Sequence, residues 1–296
     1  MLLYIHMNGL TLVGLAVAIW SIGSGIIAKG FTVPALAWYP AAALIGTVLI
    51  ALWMYKEGIL AQLWPSSKAA RWLLIAGGVC MTFNNGFFFT ALQHTTVAIG
   101  LLSHYLTPML VAVLFAPLFL REKLTVRDLV ITVVGLAGLA VVLWPELSQS
   151  QLGVGAVYGI LSAIFFAFGV VVNRKLGDYK IGGLAGVVYQ NFVPVLLMSP
   201  VFFSSFNAGA FTSGDWWRVA TFGLLSLSIG FGLFWVGLQK VQKAAHASVL
   251  SYGEPIGAII LAAIFLGEPL TLYVIVGTIL IVGAGVAIVL GERQPN

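Results

Sequence analysis

The sequence predicts an all-α integral membrane protein of ten transmembrane helices, built as an inverted repeat of five plus five. Three observations carry that prediction. Sixty per cent of the 296 residues are hydrophobic and only 8% are charged, against roughly 25% charged in a soluble domain. Lipid must therefore be the solvent for much of the chain. The basic residues alternate between gaps in a pattern that fits ten crossings. A segment around a Tyr-x-x-Pro turn occurs twice, five spans apart.

A span needs about 20 mostly apolar residues. By that measure the spans run roughly over 8–28, 34–55, 72–92, 97–119, 126–144, 153–173, 183–204, 218–238, 247–266 and 272–290. The gaps are short and leave no extramembrane domain. Met1 to Asn8 holds no Lys or Arg and no small-residue cleavage site, so the first stretch reads as a retained span and not as a signal peptide.

Lys and Arg set the orientation. With the N-terminus in the cytoplasm, the inner gaps hold Lys56, Lys68, Arg71, Arg121, Lys123, Arg127, Arg174, Lys175, Lys180, Lys240, Lys243 and Arg293, twelve of the fourteen basic residues. Only Lys29 and Arg218 stay outside. Both termini are thus placed in the cytoplasm, and the expected location is the inner membrane of the cell.

Tyr105 and Pro108 match Tyr252 and Pro255 at an offset of 147. Phe119-Leu120-x-Glu122-x-Leu124-Thr125 matches Phe265-Leu266-x-Glu268-x-Leu270-Thr271 at an offset of 146. Phe88, Leu92 and Gln93 align more weakly with Phe234, Leu238 and Gln239. An odd displacement of five spans makes the second half, 149–296, cross in the opposite sense to the first, 1–148, within one membrane domain. Such a repeat points to a transporter whose halves exchange packing between inward-open and outward-open forms.

Ala91-Leu92, Ala98, Leu102, Pro108, Leu120-Arg-Glu122 and Gly135/Gly138 resemble the EamA-type pattern of the drug/metabolite transporter superfamily. The second copy, from Ala244 to Pro255, Leu266-Gly-Glu268-Pro and Gly277 to Gly285, is similar again, as is Trp20-Ser-Ile-Gly23 in the first span. The resemblance covers nearly the whole chain. It implies a ten-helix transporter with a central cavity, moving amino acids, other metabolites, organic cations or sugar nucleotides. One departure is plain. The family's Arg near the start of span 2 is absent, and Trp38-Tyr39-Pro40 stands there.

Ionisable and amide groups inside spans are costly and default to functional hypotheses. Glu254 lies about seven residues into span 9, roughly 10 Å deep at 1.5 Å per residue, directly before Pro255. It is read as binding a substrate amine or exchanging a proton, with a hydrogen-bonded structural carboxyl as the alternative. Pro108 and Pro255 each remove an intrahelical hydrogen bond and are expected to kink their helices, freeing the Ser251 carbonyl to face a cavity. His104, Tyr105 and Thr107 occupy the equivalent turn and align with Ser251, Tyr252 and Glu254. The expected substrate-binding set is Glu254, His104, Tyr105, Tyr252, Asn84, Asn85, Ser251, Trp20, Ser24 and Trp235. Of the Asn84–Asn85 pair, at least one should face the protein interior. Ser226, Ser228 and Phe231 are further lining candidates, and Gln190 with Asn191 ranks lower. Gly135, Gly138 and Gly277 to Gly285 are expected to pack spans 5 and 10 together as scaffold.

No metal, cofactor or nucleic-acid partner is expected. His6, His94, His104 and His246 are dispersed, Cys80 is the single cysteine, and no phosphate-binding glycine loop or nucleophile triad occurs. The partners expected are a small-molecule substrate, the bilayer and protons, on a monomer. Lys and Arg are absent from mid-span regions, which disfavours phosphate esters and favours an amine-bearing solute. The expected function is export of amino acids or related metabolites by alternating access. A multidrug or organic-cation exporter is the alternative; a channel or an intramembrane enzyme is the reading from another class.

Overall fold

The structure, a computed structural model, describes residues 7–23, 27, 31–33, 35–94, 97–148, 153–205, 208–266 and 270–292. Ser24 lies outside the described residues. Among those described, the long elements are all helical: α1 (Gly9–Ile22), α2 (Ala35–Lys56), α3 (Lys68–His94), α4 (Val97–His104), α5 (Thr107–Leu110), α6 (Val126–Val142), α7 (Trp144–Leu147), α8 (Val154–Leu176), α9 (Gly183–Ser205), α10 (Ser213–Phe222), α11 (Phe231–Lys240), α12 (Ala244–Leu250), α13 (Gly253–Leu266) and α14 (Leu272–Glu292). Two stretches are wound more widely, as π-helix: Val111–Leu120, continuing α5, and Gly223–Gly230, joining α10 to α11.

Among the described residues, eight continuous helical runs are long and apolar enough to cross a membrane. At the expected first and fifth spans the helices are shorter, α1 with 14 residues and α6 with 17. Side-chain caps start several of them. Asn8 Oδ1 accepts the Thr11 N–H at 2.8 Å. Thr125 with Asp128, and Thr212 with Asp215, form capping boxes that satisfy the first free N–H groups of α6 and α10.

The expected fourth and ninth spans are each interrupted just before a proline, at Tyr105-Leu106 and at Ser251-Tyr252. A proline cannot donate to the carbonyl four residues earlier. At the first break the Thr107 hydroxyl covers that carbonyl, donating to His104 O at 2.8 Å. At the second the Glu254 N–H donates to Ser251 O at 3.0 Å. The Ser251 carbonyl is therefore capped by the next turn of its own chain, which corrects the expectation that it turns free into a cavity.

Helices from the two halves of the chain pack on one another. α3 packs on α8 and α1 on α11; α4 packs on α8 and α1 on α13; α3 packs on α9 and α2 on the Gly223–Gly230 segment. The remaining strong pairs are α2 with α9 and α6 with α14. Glycine allows the closest of these approaches. A Cβ on Gly138 would stand 2.9 Å from Gly277 O, and one on Gly277 would stand 2.5 Å from Gly138 O. This agrees with the contact expected of Gly138 and Gly277, with two corrections. A Cβ on Gly135 would meet Tyr252 at 2.7 Å and Val249 at 3.6 Å, not α14. Gly285 does not reach α6 but lines a groove with α1 and α13, because eight residues of helix turn it about 80° away from Gly277.

Hydrogen bonds between links join segments that the charge pattern places on the same side. The Gly182 N–H donates to Gln62 Oε1 at 2.9 Å, Arg174 donates to Leu238 O at 2.8 Å, and Arg127 donates to Ala287 O at 2.7 Å, all at the side read as inner. At the side read as outer, Asp215 accepts the Thr32 N–H at 3.0 Å and the Thr32 hydroxyl at 2.6 Å.

Candidate functional site

The two interrupted helices bring their Tyr-x-x-Pro turns face to face. The Tyr105 hydroxyl donates to Glu254 Oε2 at 2.7 Å, and the Tyr105 and Tyr252 rings lie 6.1 Å apart between centroids. Glu254 is the second residue of α13, half-buried, and Tyr105 is 4% exposed. Ser21 of α1 donates to the Glu254 backbone carbonyl at 3.1 Å as well as to Val17 O at 2.9 Å. Glu254 is thus held twice by the first half of the chain, at its carboxylate by Tyr105 and at its backbone carbonyl by Ser21 of α1.

His104, the last residue of α4, extends the polar surface away from Glu254. Its ring lies 5.4 Å from that of Tyr105. Its Nδ1 meets the Ser162 hydroxyl at 2.8 Å. Asn84 Nδ2 donates to the same hydroxyl at 2.9 Å and to Ser162 O at 3.1 Å. Ser162 on α8 is fully buried at 0% exposure and ties α3, α4 and α8 together. It was not among the residues the sequence singled out. A lone Ser in an apolar helix carries no local signal; the only pointer was that mid-span Asn84 needs a partner.

The rest of the expected set makes other contacts. Asn85 donates to Tyr39 OH at 2.6 Å and to Met81 O at 2.9 Å. Trp20 donates its indole N–H to Ser226 O at 3.1 Å, with its ring 4.9 Å from both Phe231 and Phe234. Trp235 sits in the main core, stacked on Phe231 at 6.0 Å. Ser251 turns its hydroxyl back to Ser248 O at 2.6 Å. The Tyr252 ring sets one edge against α6, where a Cβ on Gly135 would come within 2.7 Å of its Cδ2.

The two tyrosines therefore differ. Tyr105 has a carboxylate partner, and the fully buried Tyr252 hydroxyl has none among the described residues. The asymmetry follows from the sequence, since the position equivalent to Glu254 is Thr107, whose hydroxyl is occupied within its own turn. Chemically, a carboxylate with one phenol donor, inside an apolar bundle, can pair with an ammonium group or take up a proton. Replacing Tyr105 by Phe removes a hydrogen bond to a charged acceptor, worth roughly 1.5–3 kcal/mol. We expect solute exchange by Tyr105→Phe to fall roughly tenfold to a hundredfold at wild-type yield, measured as initial rate in proteoliposomes.

A second polar cluster, missed in the sequence, lies outside the spans. Glu122 sits in the link between Leu120 and Thr125 and accepts the Ala244 N–H at 3.0 and 3.1 Å. Burial raises its carboxyl above the usual carboxylate range, against the opposing pull of the Ala244 N–H and of Arg174, His246 and Lys243. The signal in the sequence was Glu122 itself, part of the repeated Phe-Leu-x-Glu-x-Leu-Thr motif and flanked by bases on one side of the membrane.

Known proteins share this architecture. The sequence pattern of the EamA-like transporter family matches twice, over residues 7–144 and 153–291. The chain belongs to the EamA-like transporter family. An uncharacterized transporter of Bacillus subtilis (strain 168), YxxF, is 29% identical over 224 residues, 74% of this chain and 70% of its own length. The pseudopaline exporter CntI of Pseudomonas aeruginosa (strain UCBPP-PA14) is 28% identical over 296 residues, 97% of this chain and 98% of its own. A crystal structure with a TM-score of 0.80 covers 97% of this chain and 99% of the other at 21% identity, which establishes the shared fold. As a member of the EamA-like family within the drug/metabolite superfamily, the chain is an integral membrane transporter.

Proposed function

We propose that this EamA-like transporter exports small amine-bearing solutes, amino acids or related metabolites, by alternating access through an inverted repeat of five plus five helices. The observation that carries the proposal is the Glu254–Tyr105 hydrogen bond at 2.7 Å, made between the facing breaks of the two halves. In this reading the ammonium group of the solute takes the place of the Tyr105 hydroxyl at Glu254, or a proton does so on the return step. His104, Asn84 and Asn85 extend the polar surface on which the rest of the solute is held. Lys and Arg play no part in mid-span, so phosphate esters are poor candidates.

The packing of α3 on α8 beside that of α1 on α11, and the two matches to the family pattern, support the repeat. The links joined on common sides, together with the basic-residue count, support ten crossings with both termini in the cytoplasm. The full-length similarity to a protein named as an exporter supports the direction. The aromatic wall of Trp20, Phe231 and Phe234 favours one second reading, an exporter of apolar organic cations.

A thermal-shift screen of purified protein against amino acids, polyamines and quaternary ammonium ions separates the two, since a ligand that binds the folded state raises its stability. At a ligand concentration of about 100 times Kd the gain is about 2.7 kcal/mol. Amino acids should raise Tm, and their deaminated analogues should not. A shift produced by quaternary ammonium ions alone would favour the second reading. Equal shifts from deaminated analogues would remove the amine from the proposal.

A further inference from the structure

The cluster around Glu122 does more than cap a link. Asp128 of α6, 7% exposed, accepts a hydrogen bond from Lys243 Nζ and lies 3.2 Å from His246 Nε2. Glu122 accepts the Ala244 N–H and faces Arg174 Nε at 3.9 Å. Arg174, at the end of α8, reaches on to Leu238 O at 2.8 Å and Gln242 O at 3.1 Å. These bonds gather the link after the fourth expected span, the start of α6 and the end of α8 onto one short element, the start of α12.

Helix α12 has seven residues and is about 10 Å long at 1.5 Å per residue. At its inner end Lys243, Ala244 and His246 are held by Glu122 and Asp128, both from the first half of the chain. Its other end runs into the Ser251-Tyr252 break and then to Glu254, which is held by Tyr105, again from the first half. The element is therefore tethered to the first half at both ends. It cannot swing away from α6 without breaking the inner cluster, and any such swing strains the Tyr105–Glu254 bond.

We propose that Glu122, Asp128, Arg174, Lys243 and His246 form a latch that closes the cytoplasmic mouth, and that α12 links its opening to release of Glu254 from Tyr105. This rests on the membrane orientation proposed above. The linkage is reciprocal: whatever displaces Tyr105 from Glu254 favours opening of the latch, and whatever breaks the latch favours that displacement by the same factor. Glu122 and Asp128 act here as positioning residues, through α12, on a site they do not touch.

The test needs no substrate, so its failure is distinct from failure of the amine reading. Ser251→Cys is placed in a Cys80→Ser background and labelled in inside-out vesicles with a membrane-impermeant maleimide. Labelling should be slow with the latch intact and roughly tenfold faster in Asp128→Asn and in Glu122→Gln, the shift expected when about 1.4 kcal/mol of bias toward the closed form is lost. Exchange of the charges, Asp128→Lys with Lys243→Asp, should return the slow rate. Should Asp128→Asn fail to accumulate in the membrane, Glu122→Gln supplies the same comparison. Unchanged labelling in a single variant that inserts at wild-type level would overturn the latch, as would a charge exchange that labels as fast as Asp128→Asn. Tyr105→Phe should also speed labelling, and an unchanged rate there would overturn the link through α12.

Discussion

Glu254→Gln is expected to lower exchange of the preferred solute by roughly tenfold to a hundredfold, the loss of one hydrogen bond to a charged group at about 1.5–3 kcal/mol. The protein should still insert and fold. The amide keeps the shape of the carboxyl and still accepts from the Tyr105 hydroxyl, so the 2.7 Å contact has a neutral replacement. What it loses is the charge that pairs with an ammonium group and the ability to take a proton. Dependence of the rate on pH should flatten along with the rate. Initial rates across a pH series in proteoliposomes, with yield and monodispersity as controls, check both parts. A variant with wild-type rate and wild-type pH profile would remove Glu254 from the mechanism.

The largest expected effect on stability is at the contact of α6 with α14. Between helices in lipid, association rests on close packing because the surroundings are as apolar as the side chains. A Cβ on Gly277 would meet Val142 Cγ2 at 2.4 Å and the Gly138 carbonyl oxygen at 2.5 Å. The first can rotate away; the second is backbone and cannot. Gly277→Leu should therefore separate the two helices at a cost of about 1–3 kcal/mol or more, seen as reduced membrane yield and a lower Tm. Gly283→Ala, on the same helix with nothing within 4 Å of its added Cβ, should leave both unchanged.

The parts of this fold that are local in the sequence were legible there. Hydropathy located the helices, because a span must carry its own run of apolar residues. Pro108 and Pro255 marked both interruptions, because the missing N–H is a property of the residue and not of its neighbours. The repeat named the two turns that meet. Contacts that depend on how helices are turned against one another were not legible. Ser162 joins Asn84 to His104 across three helices, and nothing in its own segment distinguishes it from other serines in apolar runs. Asp128 lies 115 residues from Lys243 and 118 from His246 in the chain, so that counting Lys and Arg for orientation placed Lys243 on the inner side without revealing that it touches Asp128. Gly285 was grouped with Gly277 on spacing that looked helical but turns it toward a different neighbour.

The central claim is that the two halves bind a small amine-bearing solute alternately from the two sides of the membrane, through Glu254. Counterflow in proteoliposomes tests it most directly: uptake of a labelled amino acid is followed with and without the same unlabelled amino acid inside. The proposed mechanism predicts accelerated, transient accumulation of label driven by the internal solute, with the chemical identity of the label unchanged and the effect lost in Glu254→Gln. Uptake indifferent to the internal solute, or counterflow that persists undiminished in Glu254→Gln, would contradict it.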